Sequence, residues 1–278
     1  MDKEDFDFTD YTDPICPFCT DQFQKQPPVH PIPISRVLEK LDEHLGRNDY
    51  SAAEKHLLYW LGEAEEGRDK RGMLAVSNEL MGIYRKTGRK NEALDALDKS
   101  LRLVDELELN NNITAGTTYT NAATVYKAFS MPEQSLELFG KAKELYESLL
   151  DSSDPRLGGL YNNLGLTLVD LERYDEAVNY YNKAIEIMSK KESGELEVAI
   201  TYLNLANLEE ARLGAEKSEA IVDKYVEKAY ELLNMDYLPR NGYYAFVCEK
   251  CAPTFGYYGR FLYEKELRDR ARDIYERN

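Results

Sequence analysis

The chain has 278 residues, with 51 acidic against 35 basic side chains and a formal net charge of -16. Binding to a phosphate backbone needs clustered Lys and Arg, so this balance disfavours nucleic acid as a partner. No apolar run approaches the roughly 20 residues of a spanning helix, and the first 15 residues carry six acids and one Lys, the reverse of a secretory leader. A cytoplasmic protein with no membrane partner is expected.

Residues 1–33 differ from everything after them: the acidic, aromatic-spotted MDKEDFDFTDYTDP, then CPFC, then QKQPPVHPIPI with four prolines. Such a segment is too polar to close a core, and its prolines favour an extended path, so it reads as a tail. From residue 34 to 278, apolar residues recur at three- and four-residue intervals in blocks of roughly 12 to 18, separated by short polar turns. This spacing predicts an all-α array of antiparallel helical hairpins.

The array starts with a degenerate unit in GRNDYSAAEKHLLYW, around Ala53. The clearest units follow at 74–107, 116–149, 158–191 and 199–236. Ala93, Ser135 and Ala177, then Ser100, Ala142 and Ala184, repeat every 42 residues and mark a seam where helices approach closely. Leu97, Phe139 and Tyr181 fill the space between them. The fourth clear unit is longer by four residues, which are expected in its turn near Leu213, Gly214 and Ala215. A last atypical unit is expected from about Asn241, with Pro253 starting or kinking a helix. Atypical end units fit an array whose terminal repeats each show one face to water.

The segments EALDALDKS, QSLELFGKA and EAVNYYNKA resemble the second helix of the tetratricopeptide repeat (TPR). The period of 42, against the usual 34 residues, is similar to that of kinesin light chain repeats. The resemblance implies a right-handed superhelical α-solenoid of about six hairpins with degenerate ends. It further implies that Asn121, Asn163 and Asn204, which recur 42 and 41 residues apart in the first helices, bond the backbone of an extended peptide in a concave groove. An amide suits that task because it donates and accepts without selecting a side chain. The competing reading is that each Asn stabilises the stack of repeats.

Thr120, Thr124, Asn162, Leu166, Leu203 and Asn207 are further candidates for the groove wall. Arg85, Lys86 and Lys127 end first helices and can attract an acidic ligand, or be ordinary solvated surface. Glu79 holds the asparagine place in the preceding unit and ends the row. Tyr119, Tyr161 and Tyr202 sit two residues before each asparagine, where they are expected to pack between helices.

All four cysteines fall in two C-x-x-C pairs, Cys16/Cys19 and Cys248/Cys251. Four thiolates match a structural zinc site, although no cofactor is required by the fold and unligated thiols fit as well. The aromatic-dense YYAFVCEKCAPTFGYYGRFLYEK reads as a capping core, or as a docking surface. Three histidines without metal spacing and the lack of a phosphate loop or nucleophile elbow argue against an enzyme. The expectation is a non-catalytic module binding a protein or peptide partner. Its rivals are a receptor for a signalling peptide and a zinc-clasped adaptor whose own tail docks in the groove.

Overall fold

The computed structural model describes residues 28–277. Among the described residues, twelve helices form six hairpins in chain order: α1 (Ile34–Gly46) with α2 (Tyr50–Glu66), α3 (Lys70–Lys86) with α4 (Lys90–Glu106), and α5 (Ile113–Ala128) with α6 (Pro132–Leu149). The same pairing continues as α7 (Pro155–Asp170) with α8 (Tyr174–Met188), α9 (Glu195–Leu213) with α10 (Ala215–Leu233), and α11 (Gly242–Tyr257) with α12 (Phe261–Tyr275). There is no strand among the described residues.

Local chemistry sets the helix ends. Asp49, Asp69, Asn112, Asp154 and Asn241 cap helices by accepting a first-turn backbone N–H. Pro132 and Pro155 open helices where no intrahelical N–H bond is lost. Most turns share one device: a residue at positive φ followed by an N–H that reaches back five residues. Gly88 (φ 74°) precedes Arg89 N–H donating to Tyr84 O at 2.9 Å, and Glu172 (φ 57°) precedes Arg173 N–H donating to Leu168 O at 2.8 Å.

The small-residue seam packs as its spacing predicts. Ala93, Ser100, Ser135, Ala142, Ala177 and Ala184 are fully buried, as are Leu97, Phe139 and Tyr181 between them. Gly165 shows why small residues matter there, since a Cβ on it would lie 2.4 Å from the Tyr181 ring. Tyr161 packs against Tyr180 with ring centroids 5.6 Å apart, and Tyr202 stacks on Tyr225 at 5.8 Å.

The long fourth unit corrects one expectation. Its turn is Gly214 alone, at φ 82°, and the extra residues instead lengthen both helices to 19 residues, against 16 and 15 in α7 and α8. Extending a helix satisfies each added peptide group at once, whereas a longer loop would leave those groups to water. Pro253 lies inside α11, a little over one turn before its end.

Successive first helices approach one another closely (α3 with α5, α5 with α7, α7 with α9, α9 with α11), whereas the backbones of successive second helices stand farther apart and meet through side chains such as Tyr230 of α10 on Tyr263 of α12. The first helices therefore line the inside of the curve. The curl continues until α11 contacts α1. There the backbones come so close that a Cβ on Gly242 would stand 3.3 Å from Gly46 Cα. Ahead of α1, His30 N–H donates to Gly67 O at 2.8 Å and Ile32 N–H to Asp69 Oδ2 at 2.9 Å, which ties the incoming chain to the turn between α2 and α3.

Candidate functional site

The concave face is polar and is built from the first helices. Asn121 lies on α5, Asn163 on α7 and Asn204 on α9, each half-buried, but the three amides have different surroundings. Asn204 Nδ2 donates to Asn162 Oδ1 at 3.0 Å, and the same oxygen accepts the Thr201 hydroxyl at 3.1 Å. Asn121 Nδ2 approaches Asn78 Oδ1 at 3.4 Å, while Asn78 Nδ2 donates to Thr118 Oγ1 at 3.0 Å and to Leu74 O at 3.1 Å. Two helix-to-helix junctions thus carry the same Asn–Asn–Thr knot, α3 to α5 and α7 to α9. The Asn163 side chain makes no hydrogen bond among the described residues.

Asn162 and Leu203 are only 8% and 3% exposed, so they sit within the stack and not on the groove wall, a correction to the sequence reading. Thr120 and Thr124 return their hydroxyls to their own helix, at Gly116 O (2.9 Å) and Asn121 O (2.7 Å). Leu166 is half-buried, and Asn207 is exposed and accepts the Tyr258 hydroxyl at 2.9 Å. Asn78 was missed because 42 residues before Asn121 stands Glu79. Helical side chains lean toward the N-terminus, so facing residues on neighbouring helices need not share a repeat register.

The same concavity gathers charge from several helices. Lys127 reaches Asp170 at 3.5 Å. Lys86 reaches Glu249 of α11 at 3.8 Å, with its ammonium 5.3 Å from the Phe246 ring centroid and 5.9 Å from that of Tyr50. Arg85 and Lys250 have no ion-pair partner among the described residues. Glu197 accepts a hydrogen bond from the Tyr243 hydroxyl.

Burial among surrounding protein raises the pKa of Glu79, helped by the charge of Asp42, and raises that of Glu197 against the pull of Lys250 and Lys191. It lowers that of Arg85, and it lowers that of Lys250 despite Glu197, with the like charges of Arg85 and Lys127 adding to the effect. Arg85 and Lys250 are nevertheless exposed at the surface of the concavity, and Glu79 and Glu197 are half-buried. Charges that are wetted yet poorly solvated are what a concavity produces.

Cys248 and Cys251 lie on α11, fully or almost fully buried in the main core. Burial raises both thiols, pushing Cys251 up to about 12. Cys16 and Cys19 fall outside the described residues, as does the acidic part of the tail. Among the described residues, no group of three or more His, Cys, Asp or Glu side chains is placed to hold a metal ion. No described helix is long and apolar enough to cross a membrane.

A solenoid of paired helices whose first helices line an inner polar face defines the class: a helical-repeat protein. Residues 156–234 match the tetratricopeptide repeat family model, and the same helical hairpin continues on both sides of that stretch. Its fold is similar to that of BtubC (BKLC) from P. vanneervenii, at 22% identity over 75% of this chain and 84% of that one, with a TM-score of 0.60. It is also similar to the nearly identical TPR-like repeats of a putative kinesin light chain from Podosopora anserina, at 16% identity over 73% and 94%, TM-score 0.50. NprR in complex with its cognate peptide NprX matches at 16% identity over 92% of this chain and 72% of that chain, TM-score 0.60. No curated protein matches the chain by sequence.

Proposed function

We propose that the protein is a non-catalytic interaction module that holds an extended peptide segment along its concave face. The observation that carries this reading is the Asn163 amide. It is a half-buried donor and acceptor on the inner face with no partner among the described residues, between two junctions where equivalent amides are engaged. An amide left open in a concavity offers a peptide group both halves of its hydrogen-bonding needs. NprR is a protein of similar fold crystallised with a peptide, and a short signalling peptide is accordingly a second occupant to consider.

The asparagine row divides into two roles. Asn163 contacts ligand, while Asn121 and Asn204 chiefly tie repeats together. The test is to pan a random 12-residue peptide display library on the full chain and remeasure the enriched peptides on variants. Asn163→Ala is expected to weaken them at least tenfold with an unchanged unfolding midpoint. Asn162→Ala is expected to cost about 1–3 kcal/mol in chemical denaturation, because it removes the acceptor of the half-buried Asn204 amide and leaves the Thr201 hydroxyl only its own helix carbonyl, Glu197 O at 2.9 Å. Enriched peptides that bind Asn163→Ala as well as wild type would overturn the reading.

A further inference from the structure

The basic residues of the inner face form a cluster that the chain's overall charge does not lead one to expect. Arg85 ends α3, Lys127 ends α5, and Lys250 comes from α11, which reaches this place only because the array curls back to meet its own start. Lys250 follows Glu249, the residue that pairs with Lys86, so α11 sets it beside the end of α3. Lys127 stands one 42-residue period after Arg85, on the first helix that packs against α3, and Lys250 lies within electrostatic range of both and of Glu197. In a chain of net charge -16, Arg85 and Lys250 are exposed cations with no ion-pair partner among the described residues, beside Lys127, which Asp170 meets at 3.5 Å.

We propose that Arg85, Lys127 and Lys250 form a cationic centre whose occupant is the chain's own acidic segment, residues 1–14. The inference rests on the concave face being a peptide site, and it names the peptide. Residues 1–14 carry six acids against Lys3, interleaved with Phe6, Phe8 and Tyr11, which complements the centre in sign and brings rings to a face already lined by Phe246 and Tyr50.

Reach is ample. The chain is anchored at His30 and Ile32, beside the N-terminal end of α3, and the centre lies at its other end. The 17 residues of α3 cover about 25 Å. The 17 residues from Asp13 to His30 extend to about 56 Å. A tether of that length keeps the segment at an effective concentration of order millimolar, so even weak contacts hold it, and an outside ligand must displace it.

The experiment uses a fluorescent synthetic peptide of residues 1–14, titrated by anisotropy into the full chain and into the full chain carrying Asp5→Asn, Asp7→Asn, Asp10→Asn and Asp13→Asn. The neutralised chain is expected to bind the peptide at least tenfold more tightly than wild type, whose own segment competes. Lys250→Glu or Arg85→Glu in that background is expected to reduce binding at least tenfold, and Lys250→Gln by less, with circular dichroism melts unchanged. Equal binding to wild-type and neutralised chains would overturn self-occupancy, and binding indifferent to both charge reversals would overturn the centre. Loss with Lys250→Glu but not with Asn163→Ala supports the centre while refuting the amide contact, so the two proposals fail separately.

Discussion

Asn162 and Asn163 are neighbours in sequence, but about 100° of helical rotation separates their side chains. One amide is therefore spent on the stack and the other faces the concavity. The spacing of 42 and 41 residues located the row correctly on the first helices without showing which member was committed, because that depends on Thr118, Thr201 and Asn78 across the junctions. Glu79 poses a related question of cost. Its carboxyl is held above the usual range by burial and by Asp42, so the folded state favours the protonated form. For a raised pKa, the contribution to stability is complete below the unfolded value and is lost as pH rises through the folded one. Glu79→Gln is therefore expected to stabilise the protein at pH 7 and to have little effect near pH 3.5, read as midpoints of denaturant unfolding at both pH values. A variant less stable than wild type at pH 7 would mean that the ionised carboxylate has a favourable partner.

The helices and turns were the most legible level, because a hairpin declares itself through local chemistry: capping Asp and Asn, apolar intervals of three and four, and a small residue wherever a ring comes close. Ala93, Ser135 and Ala177 had to be small for the reason visible at Gly165 and Tyr181. The fourth clear unit was misread in its turn, since sequence spacing counts inserted residues without saying whether they continue a helix. Turn chemistry also exposes a weakness in the chain. Gly88 and Gly259 occupy the positive-φ place of their turns without strain, whereas Glu172 takes the same conformation at φ 57° with a Cβ. A left-handed residue with a side chain costs about 1–2 kcal/mol, partly offset by the greater freedom that Gly has when unfolded. Glu172 is exposed, so Glu172→Gly is expected to raise stability by about 0.5–1 kcal/mol in equilibrium denaturation. A loss of stability would show that Glu172 makes a compensating contact.

At the scale of the whole molecule, the meeting of α11 with α1 has no signature in any single repeat. Periodicity reports what neighbouring units share, and Lys86, Phe246 and Glu249 come from opposite ends of the array. That is why Lys250 and Glu197 escaped the sequence reading of the groove, although Arg85, Lys86 and Lys127 did not. The contact is also slender. An ion pair at 3.8 Å between side chains that are 39% and 36% exposed contributes little by itself, so closure depends largely on backbone fit at Gly46 and Gly242. Repeat arrays deform by small rotations shared over many junctions, so a wedge at this point should open the curl without unfolding any unit. Gly242→Phe is expected to increase the radius of gyration in small-angle X-ray scattering while leaving helical content unchanged by circular dichroism. It should also reduce binding of the residue 1–14 peptide in the neutralised chain, because Lys250 would move away from Arg85 and Lys127. An unchanged radius of gyration would show that the ends can repack around a ring at this position, and that Gly242 does not control closure.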